Sequence, residues 1–157
     1  MDGVRERALE LFREALEAEN RRDLKTAKRK LDDIMDLTRG KEPELYFEAC
    51  FRMADVFLQE DNYRGAVKCA IRGIYRAPSE ELRRLGIRRL SDILFILKRE
   101  ERLGDLAENM EPTLGIVRDD PELHAFTLAL VGLARGEKVD VGQLSGDFRG
   151  IIEGLRG

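Results

Sequence analysis

Residues 47–78 read FEACFRMADVFLQEDNYRGAVKCAIRGIYRAP, and the spacing within them decides the fold. Apolar side chains recur at helical intervals over 47–59 and again over 63–76, on either side of the polar turn Glu60-Asp61-Asn62. Ala54, Ala66 and Gly73 are small where two helices have to approach closely. The stretch reads as a helical hairpin.

The same pattern recurs outward from it. Leu24, Ala27, Leu31 and Ile34 align with Tyr63, Ala66, Ala70 and Gly73 after a shift of 39 residues, and Leu103, Leu106 and Met110 follow 40 further on. In the helices before these, Leu11 and Ala15 align with Cys50 and Ala54, then with Leu90 and Leu94. A lone hairpin cannot bury its own apolar face, so three at a near-constant period imply a stack. The run Met53-Ala54-x-x-Phe57, then Tyr63-x-x-Ala66, Gly73 and Pro78, resembles the tetratricopeptide repeat. The resemblance spans 8–118 and implies an all-α protein: a right-handed α-solenoid of about four antiparallel hairpins, near 4–39, 43–77, 80–118 and 120–156. The period exceeds the family's repeat of about 34 residues, which longer first helices and connections at 39–45 and 79–87 account for.

Local signals fill in the elements. Residues 4–19 form a helix carrying Ala8, Leu11, Phe12, Ala15 and Leu16 on one side. Asp23 can cap the second helix, and Glu42-Pro43-Glu44 opens the third. In the third hairpin Leu106 stands where the others have alanine, and Pro112 falls inside the second helix of the pair, so a kink or break is expected at 109–111. Asp119-Asp120-Pro121-Glu122 starts another helix. Asp140 or Ser145 could cap a last one, in which Gly142, Gly146, Gly150 and Gly154 either weaken the helix or let it pack very closely. This gives about eight helices, with the last pair as a cap.

The chain of 157 residues is 43% apolar and 38% charged with a net charge of −3, which fits one soluble domain over 1–157. Residues 1–20 contain no uninterrupted apolar run, so a cytoplasmic protein without a signal peptide or membrane span is expected. Asn and Gln number only five among dense charges, the composition of a thermophilic source and equally of any charge-rich helical surface. Cys50 and Cys69 read as reduced, packed thiols.

The sequence offers no catalytic constellation. His124 is the only histidine and has no cysteine or carboxylate at ligand spacing, so no metal site, no cofactor and no catalytic residue are expected. No phosphate-cradling glycine loop, nucleophile elbow or paired-histidine zinc helix occurs. Arg21, Arg22, Lys25, Lys28, Arg29 and Lys30 crowd the second helix, while Arg83, Arg84, Arg88, Arg89, Lys98, Arg99 and Arg102 crowd the fifth. Interleaved acids make these solvated faces with i,i+4 pairs, an acidic-protein contact, or a nucleic-acid surface.

The family resemblance implies a protein-interaction scaffold, monomeric or weakly dimeric, whose first helices line a groove for a partner segment. By that resemblance the groove holds Leu9, Phe12 and Leu16, then Glu48, Phe51, Arg52 and Asp55, then Arg88, Phe95 and Arg99. Phe12, Phe51 and Phe95 would form a ladder along it or serve as plain core. Chaperone-binding members clamp a C-terminal carboxylate with Lys and Asn; here those places hold Phe12, Leu16, Arg52, Arg88 and Asp92, so only two arginines remain of that clamp. A nucleic-acid-associated helical adaptor is the alternative.

Overall fold

The computed structural model describes residues 3–157; of the single unit expected over 1–157, Met1 and Asp2 lie outside the described residues. Those described form eight α-helices and no strand: α1 (Val4–Asn20), α2 (Leu24–Thr38), α3 (Pro43–Gln59), α4 (Tyr63–Tyr75), α5 (Glu80–Arg99), α6 (Glu111–Ile116), α7 (Pro121–Ala134) and α8 (Gly146–Arg156). A 3-10 turn, Leu103–Ala107, lies between α5 and α6. No helix among the described residues is long and apolar enough to cross a membrane.

The ends of α1, α3 and α5 share one design. Asp23 N–H donates to the Ala18 carbonyl at 2.8 Å, Asn62 N–H to Phe57 at 2.8 Å and Arg102 N–H to Leu97 at 2.7 Å. Before each donor stands a residue in the left-handed region: Arg22 (φ 63°), Asp61 (φ 59°) and Glu101 (φ 59°). These are Schellman ends, which satisfy orphan carbonyls and reverse the chain within a few residues. The first two turns at once start a new helix, because Asp23 accepts from Thr26 N–H (3.2 Å) and Asn62 from Gly65 N–H (2.9 Å).

The third turn has Arg102 at the equivalent place, and a guanidinium has no acceptor with which to cap. Arg102 instead holds Asp105 through Nε (3.2 Å) and Nη2 (2.7 Å). The expected long helix is replaced by the 3-10 turn and then α6, with Asn109 left-handed at φ 64° and Pro112 in the first turn of α6. The break expected at 109–111 is therefore real, and the helix before it fails as well. Residues 79–87, read from the sequence as a connection, are the cap and opening turns of the 20-residue α5, where Ser79 accepts from Leu82 N–H at 3.1 Å.

Packing runs between consecutive helices from α1 to α5. The aligned positions are all interior: Leu11, Cys50 and Leu90; Ala15, Ala54 and Leu94; Ala27, Ala66 and Leu106. One core cluster joins α1, α2 and one side of α3, and a second joins the other side of α3 to everything beyond it. Apolar on both sides, α3 is the shared wall. At the far end α8 packs on α7, where the Phe126 and Phe148 rings lie 4.6 Å apart, and also returns to α5, where Lys98 Nζ donates to the Gly154 carbonyl at 2.9 Å. Neither expected cap of α8 forms from its side chain: Asp140 accepts from Gly142 N–H, and Ser145 Oγ donates to Glu122 Oε2 at 3.0 Å. The close-packing option holds at Gly154, where an added Cβ would sit 2.8 Å from the Phe95 ring.

Candidate functional site

The first helices α1, α3 and α5 are tied by polar links. Arg5 Nη1 reaches Glu42 Oε1 at 3.3 Å, and Gln59 Nε2 donates to Glu19 at 3.1 Å, joining α1 to the two ends of α3. Between α3 and α5 the link is Arg89, which lies 3.6 Å from Glu48 and 3.9 Å from Asp55, with its guanidinium 4.4 Å from the centre of the Phe51 ring. Asp55 is exposed, yet loss of hydration raises its carboxyl above the usual range, against the pull of Arg89.

Phe51 is not available to a partner. It is 1% exposed, under Arg89 and against two glycines: an added Cβ would lie 2.8 Å from its ring at Gly73 and 3.2 Å at Gly86. The ladder of Phe12, Phe51 and Phe95 therefore does not form, because close approach of α4 and α5 to α3 draws the middle ring inside. Phe12 is half-buried against the first core cluster, whereas Leu16 (46%) and Phe95 (39%) stand in solvent. Arg52 is half-buried, and Asp55, Arg88 and Arg99 are exposed. Arg88 and Phe95 share a concave feature, a cleft of about 270 Å³ between α5 and α8 closed on the far side by Asp147, Gly150 and Ile151.

Sequence reasoning missed Arg89 in favour of its neighbour Arg88. The inward stripe of α5 is Gly86, Leu90, Ile93 and Leu97, and Arg89 lies at its edge, three residues from Gly86 and four from Ile93. That helical phase was the available signal. The contribution of α8 left no such trace, since its approach to α5 depends on the end of the chain turning back.

Many of the basic side chains that crowd α2 and α5 are engaged within the molecule. Lys28 meets Glu60 (2.8 Å), Lys30 meets Glu14 (2.9 Å) and Arg83 meets Asp120 (2.9 Å), besides Arg89 and Arg102. Both cysteines are free, and burial pushes each thiol up to about 12, so the nucleophilic thiolate is suppressed at neutral pH. Among the described residues no group of three or more His, Cys, Asp or Glu side chains is placed to hold a metal ion, and His124 is half-buried on α7.

Compared with protein families, curated proteins and solved structures, the chain matches none. What the surface offers chemically is apolar contact flanked by fixed charge.

Proposed function

We propose that the chain is a tetratricopeptide-like scaffold, monomeric or weakly dimeric, that docks a segment of another protein on the outer face of its first helices and performs no chemistry of its own. The observation that carries this reading is where most of the exposed large apolar side chains of the described residues lie: Leu9 (48%), Leu16 (46%) and Phe95 (39%) are on α1 and α5, and Leu128 (49%) is on α7. Fully burying such a side chain is worth about 1.5–3 kcal/mol, and as each is already about half covered, a partner recovers roughly half of that per residue. Arg88 and Arg99 on α5 and Arg52 on α3 supply the charged anchors that interfaces favour.

The alternative, a nucleic-acid adaptor, would use the cations of α2 and α5. The carboxylate pairing of Lys28, Lys30, Arg83, Arg89 and Arg102 leaves less free charge for phosphates. Affinity capture from nuclease-treated native extract, read by mass spectrometry, separates the two. Leu9→Glu with Leu16→Glu should abolish capture of the partner with the melting curve retained, and Arg22→Ala with Lys25→Ala should leave it intact. The opposite ranking, or capture that vanishes with nuclease, overturns the scaffold reading.

A further inference from the structure

The opposite side of the molecule holds a second concavity, a cleft of about 510 Å³ bounded by α2, α4 and α6 and floored by α3. Its size falls within the range of small-ligand sites, roughly 300–1,000 Å³. Met35, Met53, Phe57 and Ile116 give it an apolar floor, and the two methionines provide a surface that adapts to shape. Its rim is cationic. Lys68 donates only to the Asn109 carbonyl (3.1 Å), which leaves its charge uncancelled, whereas Lys28 is neutralised by Glu60.

Arg72 is the central observation. Half-buried on α4, its guanidinium makes no hydrogen bond or ion pair among the described residues and pulls on Asp32 only at longer range, although it lines the cleft. A guanidinium with five donors held beside apolar surface is suited to a bidentate oxyanion. Thr113 is placed comparably on the α6 side. The two other buried threonines, Thr38 and Thr127, donate to the carbonyl four residues back, but Thr113 makes no such bond and borders the cleft. Asp32 sets a limit on charge. It faces the same space, and its carboxyl is raised by lost hydration and then by Asp36 and Asp33 against the pull of Arg72 and Lys28, so the cleft has cationic charge to spare for one carboxylate and not for a ligand carrying several negative charges.

We infer that this cleft binds a small organic monocarboxylate, with the carboxylate on Arg72 and Lys68 and an apolar body against Met35, Met53 and Phe57. Neither the outer face of the first helices nor its partner is involved. The probe is 4-phenylbutyrate, titrated calorimetrically into the full chain, with its neutral amide as the control of equal shape. Saturable binding of the acid is expected, with the amide at least about tenfold weaker, as loss of a charged hydrogen bond implies. Arg72→Gln should cost about tenfold, Lys68→Gln less, and Arg22→Gln on the far side of the turn nothing. Melting curves identify any variant that fails to fold, and Lys68→Gln carries the test if Arg72→Gln does. No binding of the acid, equal binding of acid and amide, or affinity unchanged in both cleft variants overturns the inference. A peptide ending in a free Phe carboxylate is the last arm: if it binds more tightly than 4-phenylbutyrate and loses that affinity in Arg72→Gln, the ligand is a chain terminus and not a free acid.

Discussion

Phe51 shows how one ring can set the spacing of three helices. Gly73 on α4 and Gly86 on α5 are the flat places that admit it, and Arg89 closes over its outer face. Gly73→Ala sets two effects against each other. Alanine favours the helix by about 1 kcal/mol, but overpacking a filled site costs about 1–3 kcal/mol. With the new Cβ 2.8 Å from a ring that has no room to retreat, overpacking prevails, and denaturant melts should show a net loss of about 1–2 kcal/mol. A gain in stability would mean that the ring can move. Of the two readings the sequence left open for Phe51, groove or core, the core is the one observed; the choice stayed open because α3 is apolar on both sides, so helical periodicity could not separate an inner from an outer face. Cys50, beside it, has a consequence for pH. Burial raises its thiol from 9.0 to about 12, so in the alkaline range the folded chain keeps a proton that the unfolded chain releases. The stabilisation is complete below pH 9 and is lost as pH rises toward 12, with a slope of at most about 1.4 kcal/mol per pH unit. Melts between pH 8 and 10.5 should fall more steeply for the parent than for Cys50→Ala, and parallel curves would contradict this.

Helix ends explain which hairpins could be read and which could not. Asp23 and Asn62 are short acceptors directly after a left-handed residue, and each both ends one helix and starts the next. The first two hairpins were legible for that reason. In the third, apolar spacing at Leu103, Leu106 and Met110 continued the repeat, and all three are at least partly buried as a helix would bury them. The backbone nevertheless takes another path, because Arg102 cannot cap and Asn109 turns left-handed before Pro112. Burial pattern and backbone conformation are separable, and spacing reports only the first. The left-handed residues give a direct test. Arg22 and Glu101 are exposed side chains at φ 63° and 59°, where a Cβ costs about 1–2 kcal/mol. Glycine removes that cost while giving up about 0.5–1 kcal/mol of chain entropy, so Arg22→Gly and Glu101→Gly should each be stabilising by about 0.5–1 kcal/mol. A lowered melting temperature in both would show that the turns draw on side-chain contacts beyond the Schellman bonds.

At the scale of the whole molecule, the two core clusters meet along α3, with Cys69 of α4 as a further side chain packed against both, so the N-terminal and C-terminal parts are coupled mainly through one helix. In linear helical arrays, stability is close to a sum of unit and neighbour terms, and a defect weakens its own neighbourhood most. The return of α8 to α5 modifies that expectation at one end, because Phe148, Ile151, Ile152 and Leu155 join a cluster that reaches back to Phe47 and Phe51. None of those four residues belongs to the cluster of α1 and α2. The glycines of α8 allowed for close packing, but its apolar stripe specifies a face without specifying which helix receives it, so the return to α5 was not legible. Phe148 is 2% exposed, stacked near Phe126 and lying 5.9 Å from the Arg83 guanidinium, so Phe148→Ala should cost about 3–5 kcal/mol. If the clusters are separate cooperative units, hydrogen exchange in that variant should accelerate in α5, α7 and α8 while the amides of α1 and α2 keep their protection. Uniform acceleration along the whole chain would instead make α3 a rigid coupler and the molecule a single cooperative unit. The parent should show its slowest amides in α3 and α4 in either case, because there the backbone hydrogen bonds are covered by core on more than one side.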